Sequence, residues 1–153
     1  MIYRIEIGLK QGVPDARGRG VISKAKSALG MKIKSCQTRD VYKVDANIKR
    51  AEAKAIQTGF ADAVVARSAL GRLKAPSSFD WMLEIGFKPG VTDNVGRTAR
   101  GAMADILGRE LAWEEQVYTS IQYFLKGDLT REDVLHLGKD LLANTLIQTI
   151  QVF

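Results

Sequence analysis

Apolar and polar residues alternate from Tyr3 to Leu9, a pattern that predicts a strand with one buried face. The same alternation returns from Trp81 to Phe87. A glycine-containing turn follows each stretch and leads to an aspartate. Asp15 and Asp93 are therefore expected to cap helices, because a carboxylate at that position accepts hydrogen bonds from amides that have no partner within the helix.

Further elements follow in the same order in both halves of the chain. The first helices are predicted to end at Gly30 and Gly108, because a left-handed residue at a helix C-terminus is least strained as glycine. The stretch Thr130–Asp133 has the spacing of a capping box and predicts the start of the last helix. Each half is thus predicted to be strand, helix, strand, helix, strand. The second strands are expected near 36–44 and 117–125, the second helices near 48–60 and 130–143, and a closing strand at 147–153.

The two halves also share residue identities, which indicates an internal duplication. The segment Glu6–Gly30 aligns without gaps on Glu84–Gly108, and 11 of its 25 positions are identical. The alignment resumes after a three-residue insertion and ends with Ala61-Asp62-Ala63-Val64 opposite Ala143-Asn144-Thr145-Leu146. The predicted organisation is repeat 1 at 1–65, a linker at 66–78 and repeat 2 at 79–153.

A repeat of this kind predicts an α+β fold, a two-layer sandwich with helices on one face of a mostly antiparallel sheet. The helix-free face of each sheet needs a cover, which a tandem copy supplies. The predicted architecture is therefore a pseudo-twofold internal dimer of two sandwiches. Because the strand pattern begins at the first residues and no apolar run is long enough to cross a bilayer, we expect a cytoplasmic protein without a signal peptide or a membrane span.

Charge is unevenly distributed along the chain. Residues 1–75 contain 16 basic and 6 acidic side chains, a net charge of +10, whereas residues 76–153 contain 7 and 11, a net charge of −4. This asymmetry suggests that the first half faces an anionic partner, such as a nucleic acid, a phosphorylated ligand or an acidic protein surface. A basic face in contact with solvent alone explains the same numbers.

Composition narrows the classes of chemistry that the chain can perform. The single cysteine, Cys36, excludes a disulfide framework and a thiolate metal cage, and the single histidine, His136, excludes a metal site with two imidazoles. We expect Cys36 to be buried in a strand and His136 to lie in solvent. Trp81 and Trp113 are expected to pack, and the carboxylates of Glu114-Glu115 to be solvated. No catalytic or metal-binding set is predicted.

The turns after the first strand of each half carry the candidate binding residues. Glycines, flanking cations and a helix N-terminus together can form an anion site, although neither copy has the Gly-Lys-Ser/Thr ending of a phosphate-binding loop. A tight turn followed by a capped helix explains the same residues without a ligand. The candidates for binding a partner or an anion are Lys10, Gly12 and Arg19, with their copies Lys88, Gly90 and Arg97.

A combination of shared positions extends over nearly the whole chain. It consists of Lys10/Lys88, Gly12/Gly90, Asp15/Asp93, Gly18/Gly96, Leu29-Gly30/Leu107-Gly108 and the ending Leu142-Ala143-Asn144-Thr145-Leu146-Ile147-Gln148. This combination resembles PurS, the small subunit of phosphoribosylformylglycinamidine synthase, an amidoligase of de novo purine biosynthesis. PurS is typically half as long and dimerises, so the chain is more similar to the N-terminal PurS-like region of the long single-chain synthases, or to a fused PurS pair.

The resemblance implies an accessory, non-catalytic role. PurS-like parts bridge the synthetase component and the class I glutaminase component and support the transfer of ammonia between them. The resemblance implies no cofactor in this chain, while the complex would use ATP, Mg²⁺ and glutamine. It leaves further self-association of the chain open.

Two other classes of function remain open at this point. A regulatory ligand-binding pair of the ACT type uses a similar strand-turn-helix unit and binds its effector between copies. A nucleic-acid-binding module is suggested by the basic first half, but it needs aromatic side chains on an open sheet face. Because the second strand of the first half offers only Tyr42, we rank this function third.

Overall fold

Strands and helices alternate throughout the computed structural model, which describes residues 1–153. None of the helices combines the length and the apolar character needed to cross a membrane. The elements in chain order are β1 (Ile2–Leu9), α1 (Ala16–Leu29), β2 (Ser35–Asp45), α2 (Arg50–Phe60), β3 (Ala66–Leu70), β4 (Trp81–Phe87), α3 (Asn94–Leu107), β5 (Gln116–Lys126), α4 (Arg131–Leu137), a π-helical turn (Gly138–Leu142) and β6 (Gln148–Val152).

The observed elements follow the predicted order. Gly30 and Gly108 end α1 and α3 as predicted, in the left-handed conformation with φ angles of 62° and 66°. Two elements differ from the prediction. The predicted last helix at 130–143 is divided, because α4 gives way to the π-helical turn after Leu137. The expected linker at 66–78 begins with β3, whose five residues lack the alternation of apolar and polar positions that predicts a strand.

The six strands form one sheet in the order β3-β1-β2-β5-β4-β6. Strand β1 pairs antiparallel with β3, where Ile7 lies opposite Ser68. Strand β4 pairs antiparallel with both β5 and β6, so that Ile85 has Ile121 on one side and Ile150 on the other. The α+β fold class, with helices packed on a mostly antiparallel sheet, is confirmed. The pseudo-twofold internal dimer stays a prediction.

The chain divides into two compact units. Unit 1 contains Met1–Val13, Asp40–Lys74 and Thr92–Thr119, and unit 2 contains Pro14–Arg39, Ala75–Val91 and Ser120–Phe153. Each unit therefore includes the first helix of the other sequence repeat, α3 in unit 1 and α1 in unit 2. The repeat boundaries at 1–65 and 79–153 describe the sequence, and their status as domains stays a prediction.

The core of unit 1 is formed by side chains from three strands, β1, β2 and β5, and from the two helices α2 and α3. Ile5 of β1, Ile56 of α2 and Met103 of α3 are all completely buried in it. Helices α2 and α3 approach each other closely at Gly59, where a Cβ atom would lie 2.5 Å from Cδ1 of Ile106. Burial of each large aliphatic side chain stabilises the unit by about 1.5–3 kcal/mol.

The core of unit 2 likewise combines three strands, β2, β4 and β5, with two helices, α1 and α4. Leu83 of β4, Leu125 of β5 and Leu137 of α4 are completely buried there. Helix α1 contributes Val21 and Ala25, which are spaced four residues apart on its buried face. A helix from one repeat thus completes a core whose strands come mainly from the other.

Asp15 fastens the start of α1 to strand β2 within unit 2. Its Oδ1 accepts a hydrogen bond from the Gly18 amide at 2.8 Å, and its Oδ2 accepts one from the Thr38 amide at 2.7 Å. The Thr38 hydroxyl donates to the same carboxylate at 3.0 Å. A Cβ atom on Gly18 would lie only 2.1 Å from the carbonyl oxygen of Cys36, so this approach of helix and strand requires glycine.

The same arrangement of hydrogen bonds recurs in unit 1, where Asp93 connects α3 to β5. Its carboxylate accepts hydrogen bonds at 2.7 Å from the amides of Gly96 and Thr119. The Thr119 hydroxyl donates to it at 2.8 Å. A Cβ atom on Gly96 would lie 2.3 Å from the carbonyl oxygen of Val117. The predicted caps are confirmed, and each one also binds a strand about 25 residues away.

We predict that Gly18→Ala lowers the free energy of unfolding by about 1–3 kcal/mol, because the helix must move away from the strand to admit the methyl group. Gly20→Ala, in the same helix but with open space around its Cα, is the matched control. It should raise stability by about 0.5–1 kcal/mol, since alanine favours helix. Urea unfolding followed by circular dichroism measures both, and equal effects of the two substitutions would contradict the proposed contact.

Candidate partner-binding site

The turn after β1 is held against a second turn of unit 1. The Lys10 carbonyl accepts a hydrogen bond from the Val13 amide at 3.1 Å, and Gly12 has a φ of +84°, where glycine is favoured. The Lys10 amide donates to the Val65 carbonyl at 2.8 Å. The Lys10 ammonium donates to the carbonyl of Ala63. Lys10 therefore connects the two turns through its backbone and its side chain.

The second turn of this pair presents Val64 to solvent. The Asp62 carboxylate accepts a hydrogen bond from the Val64 amide at 3.0 Å, which is an Asx turn. The Asp62 carbonyl accepts further bonds from the amides of Val65 at 3.2 Å and Ala66 at 2.8 Å. The side chain of Val64 is nevertheless 81% exposed. An aliphatic group thus lies in water on a backbone that local hydrogen bonds fix.

Unit 2 contains the equivalent first turn. The Lys88 carbonyl accepts a hydrogen bond from the Val91 amide at 3.2 Å, and Gly90 has a φ of +81°. The Lys88 amide donates to the Ile147 carbonyl at 2.9 Å, as Lys10 does to its own second turn. The Lys88 side chain makes no hydrogen bond or ion pair.

The second turn of unit 2 is also an Asx turn, built on asparagine. The Asn144 side-chain oxygen accepts a hydrogen bond from the Leu146 amide at 3.1 Å. Its carbonyl accepts bonds from the amides of Ile147 at 3.0 Å and Gln148 at 2.8 Å. Leu146 is 83% exposed. We call Val64 with Val65, and Leu146 with Ile147, the aliphatic tips.

Four of the six predicted site residues adjoin these tips, namely the lysines and glycines of the first turns. Arg19 and Arg97 lie instead in the first turns of α1 and α3, exposed and without a side-chain hydrogen bond or ion pair. Arg19 belongs to unit 2 while Lys10 belongs to unit 1, so the three candidates of a repeat are divided between units. The binding role of all six stays a prediction.

The helix N-termini that the sequence suggested as anion sites are occupied by side chains of the chain itself. The Gly18 amide donates to Asp15 and the Gly96 amide donates to Asp93. An external anion there would compete with a carboxylate already in place. The amides that the two aspartates cap are therefore not available to an external anion.

Cys36 and His136 are placed as the sequence suggested. Cys36 is buried, and burial followed by the charge of Asp15 raises the pKa of its thiol to about 12, so little nucleophilic thiolate forms at neutral pH. His136 is exposed and its Nδ1 contacts the Asp140 carboxylate one helical turn later. No cluster of three or more His, Cys, Asp or Glu side chains that could hold a metal ion occurs.

The two tryptophans differ, and one prediction is wrong. Trp81 packs against the core of unit 2 and donates from Nε1 to the Leu129 carbonyl at 3.0 Å, as expected. Trp113 is 84% exposed instead of packed. It lies within residues 109–115, where the second repeat is three residues longer than the first. The insertion removes this residue from the pattern of the duplication, so no equivalent position indicated its environment.

The expected solvation of Glu115 is also wrong, because this side chain is buried. Arg109 donates two hydrogen bonds of 2.9 Å to it, one to each carboxylate oxygen. The amides of Ala112 and Asn47 donate to the same carboxylate at 2.9 and 3.2 Å. Hydrogen bonds from the Arg109 guanidinium, and then from the Ala112 amide, lower the pKa of Glu115 to about 2.

We predict that the contribution of Glu115 to the free energy of unfolding decreases at acidic pH. Its pKa in the folded state lies below the ordinary value of 4.5, so its stabilising contribution is present above that pH and is lost as the pH falls toward 2. Urea unfolding of the wild type and of Glu115→Gln should therefore differ clearly at neutral pH and less at about pH 3. Glu114→Gln, which alters an exposed neighbour, is the control and should match the wild type at both values.

Comparison with known proteins does not assign the chain to a family. No protein-family model matches the sequence. No curated protein is significantly similar to it. The features that bear on function are the aliphatic tips, the turns that hold them and the resemblance carried by the repeated residues.

Proposed function

We propose that the chain is a non-catalytic, PurS-like component of phosphoribosylformylglycinamidine synthase that acts in the cytoplasm. In this role it bridges the synthetase and the class I glutaminase and supports ammonia transfer between them. ATP, Mg²⁺ and glutamine would be bound by these partners. The observation that carries the proposal is the pair of matched aliphatic tips, one in each unit.

Rigid backbone around each tip supports a role in protein association. Exposed loops usually lose conformational freedom on binding, which weakens the complex. Here the Asx turns of Asp62 and Asn144 already fix the amides of Val64 and Leu146. The tips are therefore preorganised, which lowers the entropy cost of covering their apolar area.

The chemistry of the tips also resembles that of protein interfaces. Each tip combines a largely exposed aliphatic side chain with a second one that is about a third exposed, Val65 at 36% and Ile147 at 38%. A lysine lies in the adjoining turn in both cases. An apolar centre with a polar rim is the usual composition of a binding surface between proteins. Complete burial of Val64 or Leu146 would contribute about 1.5–3 kcal/mol.

Two equivalent tips are what a bridging component needs. Both lie at the ends of the sequence segments that carry the resemblance to PurS, and Leu146 falls within its final motif. The burial of Cys36 and the raised pKa of its thiol also favour an accessory role over that of the glutaminase nucleophile. In this proposal the chain makes the contacts between the proteins, and the synthetase and the glutaminase carry out the catalysis.

The proposal is tested by reconstitution with the purified synthetase and glutaminase, in the presence of glutamine and ADP. We expect the chain to co-elute with both proteins on size exclusion and to raise glutamine-dependent synthesis of the formylglycinamidine. Synthesis from added ammonia should change little, because that route bypasses transfer between the two sites. If neither protein is retained and glutamine-dependent synthesis is unaffected, the proposal is wrong.

We predict that Val64→Asp and Leu146→Asp each weaken capture of a partner by about tenfold or more, because a carboxylate cannot be buried in an apolar contact without a large cost. Both positions are more than four-fifths exposed, so the substitutions should leave the thermal stability of the free chain nearly unchanged. Ala28→Asp, at an exposed position of α1, is the control for added charge. Capture by the two tip variants at the wild-type level would exclude the tips as contacts.

A further inference from the structure

Unit 2 contains a cavity of about 610 Å³, which we call the unit 2 cavity. It lies between the connection from α1 to β2 and the connection from β5 to α4, and its volume is within the range of small-molecule sites. The two connections are fixed to each other. The Lys34 amide donates to the Lys126 carbonyl at 2.8 Å, and a Cβ atom on Gly127 would lie 3.2 Å from the Lys32 carbonyl oxygen. The backbone of the cavity walls is therefore already in place before any ligand binds.

The wall formed by the first connection is basic. Met31 and Ile33 are buried in the core of unit 2, and Lys32 and Lys34 alternate with them. This alternation places both lysines on the solvent side of the segment. Both are exposed, and their ammonium groups make no hydrogen bond or ion pair. Two positive charges thus lie next to each other on this wall without a partner from the chain.

The wall formed by the second connection and α4 is acidic. The exposed carboxylate of Asp128 makes no hydrogen bond or ion pair. Asp133 accepts a hydrogen bond from the Thr130 amide at 2.9 Å through Oδ2, which leaves Oδ1 able to accept another donor. His136 also lines the cavity, and its Nδ1 contacts Asp140. The unit 2 cavity is therefore dipolar, with positive charge on one wall and negative charge on the other.

Unit 1 contains a corresponding pair of connections. Its second helix, α2, begins with a capping box two residues after Asn47, and α4 begins with one two residues after Asp128. Glu52 closes the first box and Asp133 closes the second. Asn47 and Glu52 are thus the counterparts of the acidic wall. The connection from α3 to β5, residues 108–115, is three residues longer than the connection from α1 to β2, residues 30–34.

The longer connection places an arginine beside these counterparts in unit 1. Arg109 donates two hydrogen bonds of 2.9 Å to the Glu115 carboxylate, and its Nη2 lies 3.5 Å from the Asn47 carbonyl oxygen. The hydrogen bond to Glu115, together with the charges of Glu115 and Glu52, raises the pKa of Arg109. The chain itself thus supplies a guanidinium, paired with a carboxylate, to this part of unit 1.

The shorter connection of unit 2 supplies neither member of this ion pair. It contains no arginine, and Lys34, which directly precedes β2, takes the position of Glu115, which directly precedes β5. A guanidinium that enters the unit 2 cavity therefore meets acceptors on the acidic wall, but its carboxylate partner is replaced by a lysine. A ligand that carries its own carboxylate satisfies both walls.

We infer that the unit 2 cavity binds a small molecule with both a guanidinium and a carboxylate, the chemistry of free arginine. The guanidinium lies beside Asp128 and Asp133, and the carboxylate lies beside Lys34 and its neighbour Lys32. Hydrogen bonds between oppositely charged groups are stronger than those between neutral groups, and this favours a ligand charged at both ends. This binding is independent of the proposed purine role.

The test is isothermal titration calorimetry of the purified chain with L-arginine. We expect saturable binding at one site with a Kd of about 1 mM or lower. L-citrulline, in which a neutral ureido group replaces the guanidinium, and agmatine, which lacks the carboxylate, should each bind about tenfold more weakly or worse. If L-arginine gives no saturable binding up to about 10 mM, or if all three compounds bind equally, the inference is wrong.

Two variants examine the two walls separately. Asp128→Asn and Lys34→Gln should each weaken binding of L-arginine by about fivefold or more. Asp128→Asn should also reduce the preference for L-arginine over L-citrulline, and Lys34→Gln the preference for L-arginine over agmatine. Asp105→Asn and Lys24→Gln alter exposed charges outside the cavity and are the matched controls, which should bind like the wild type.

Circular dichroism and thermal unfolding establish that the variants are folded, as expected for substitutions of exposed side chains. If either Asp128→Asn or Lys34→Gln binds L-arginine as tightly as the wild type, the cavity does not recognise both charged groups and the inference is overturned. None of these measurements involves the synthetase or the glutaminase, so their outcome is separate from that of the proposed function.

Discussion

One aspartate carboxylate at the start of α1 and another at the start of α3 each bind both a helix and a strand. The rest of the fold depends on this pair of interactions. Asp15 binds its own helix through Gly18 and a strand through Thr38, and Asp93 does the same with Gly96 and Thr119. The side chain therefore satisfies a helix end and sets the position of that helix on the sheet. The turn preceding each aspartate, with Lys10 or Lys88, is joined in turn to the Asx turn that carries an aliphatic tip. The position of each exposed tip thus follows from a partly buried hydrogen-bond network.

Local features of the fold were predictable because their causes lie within a few residues. The caps at Asp15 and Asp93, the helix ends at Gly30 and Gly108 and the capping box at Thr130 are all confirmed. Features that depend on distant residues were not. Nothing near Asp15 indicates that Thr38, 23 positions later, binds the same carboxylate. Strand β3 pairs with β1 across some 60 residues and carries too little alternation to be recognised alone.

The candidate site was predictable only in part, for the same reason. Lys10, Gly12, Lys88 and Gly90 were found because they recur, but the exposed tips beside them depend on how the two turns meet in space. Trp113 and Glu115 were assigned to the wrong environments, since an insertion offers no repeated partner against which to compare it. Glu115, the buried charge two residues after Trp113, is paired with a partly exposed arginine, and such an ion pair gives no hydrophobic pattern.

The exchange of α1 and α3 between units has a consequence for the way the chain is made. Val21 and Ala25 of α1 belong to the same core as Leu83 and Leu125, which the ribosome synthesises some 60 to 100 residues later. The N-terminal repeat therefore emerges with the apolar face of a helix that lacks its partners on β4 and β5 until those strands have been translated. During this interval the nascent chain must keep that face away from other chains, and the high density of lysine and arginine in the first half is suited to doing so by mutual repulsion.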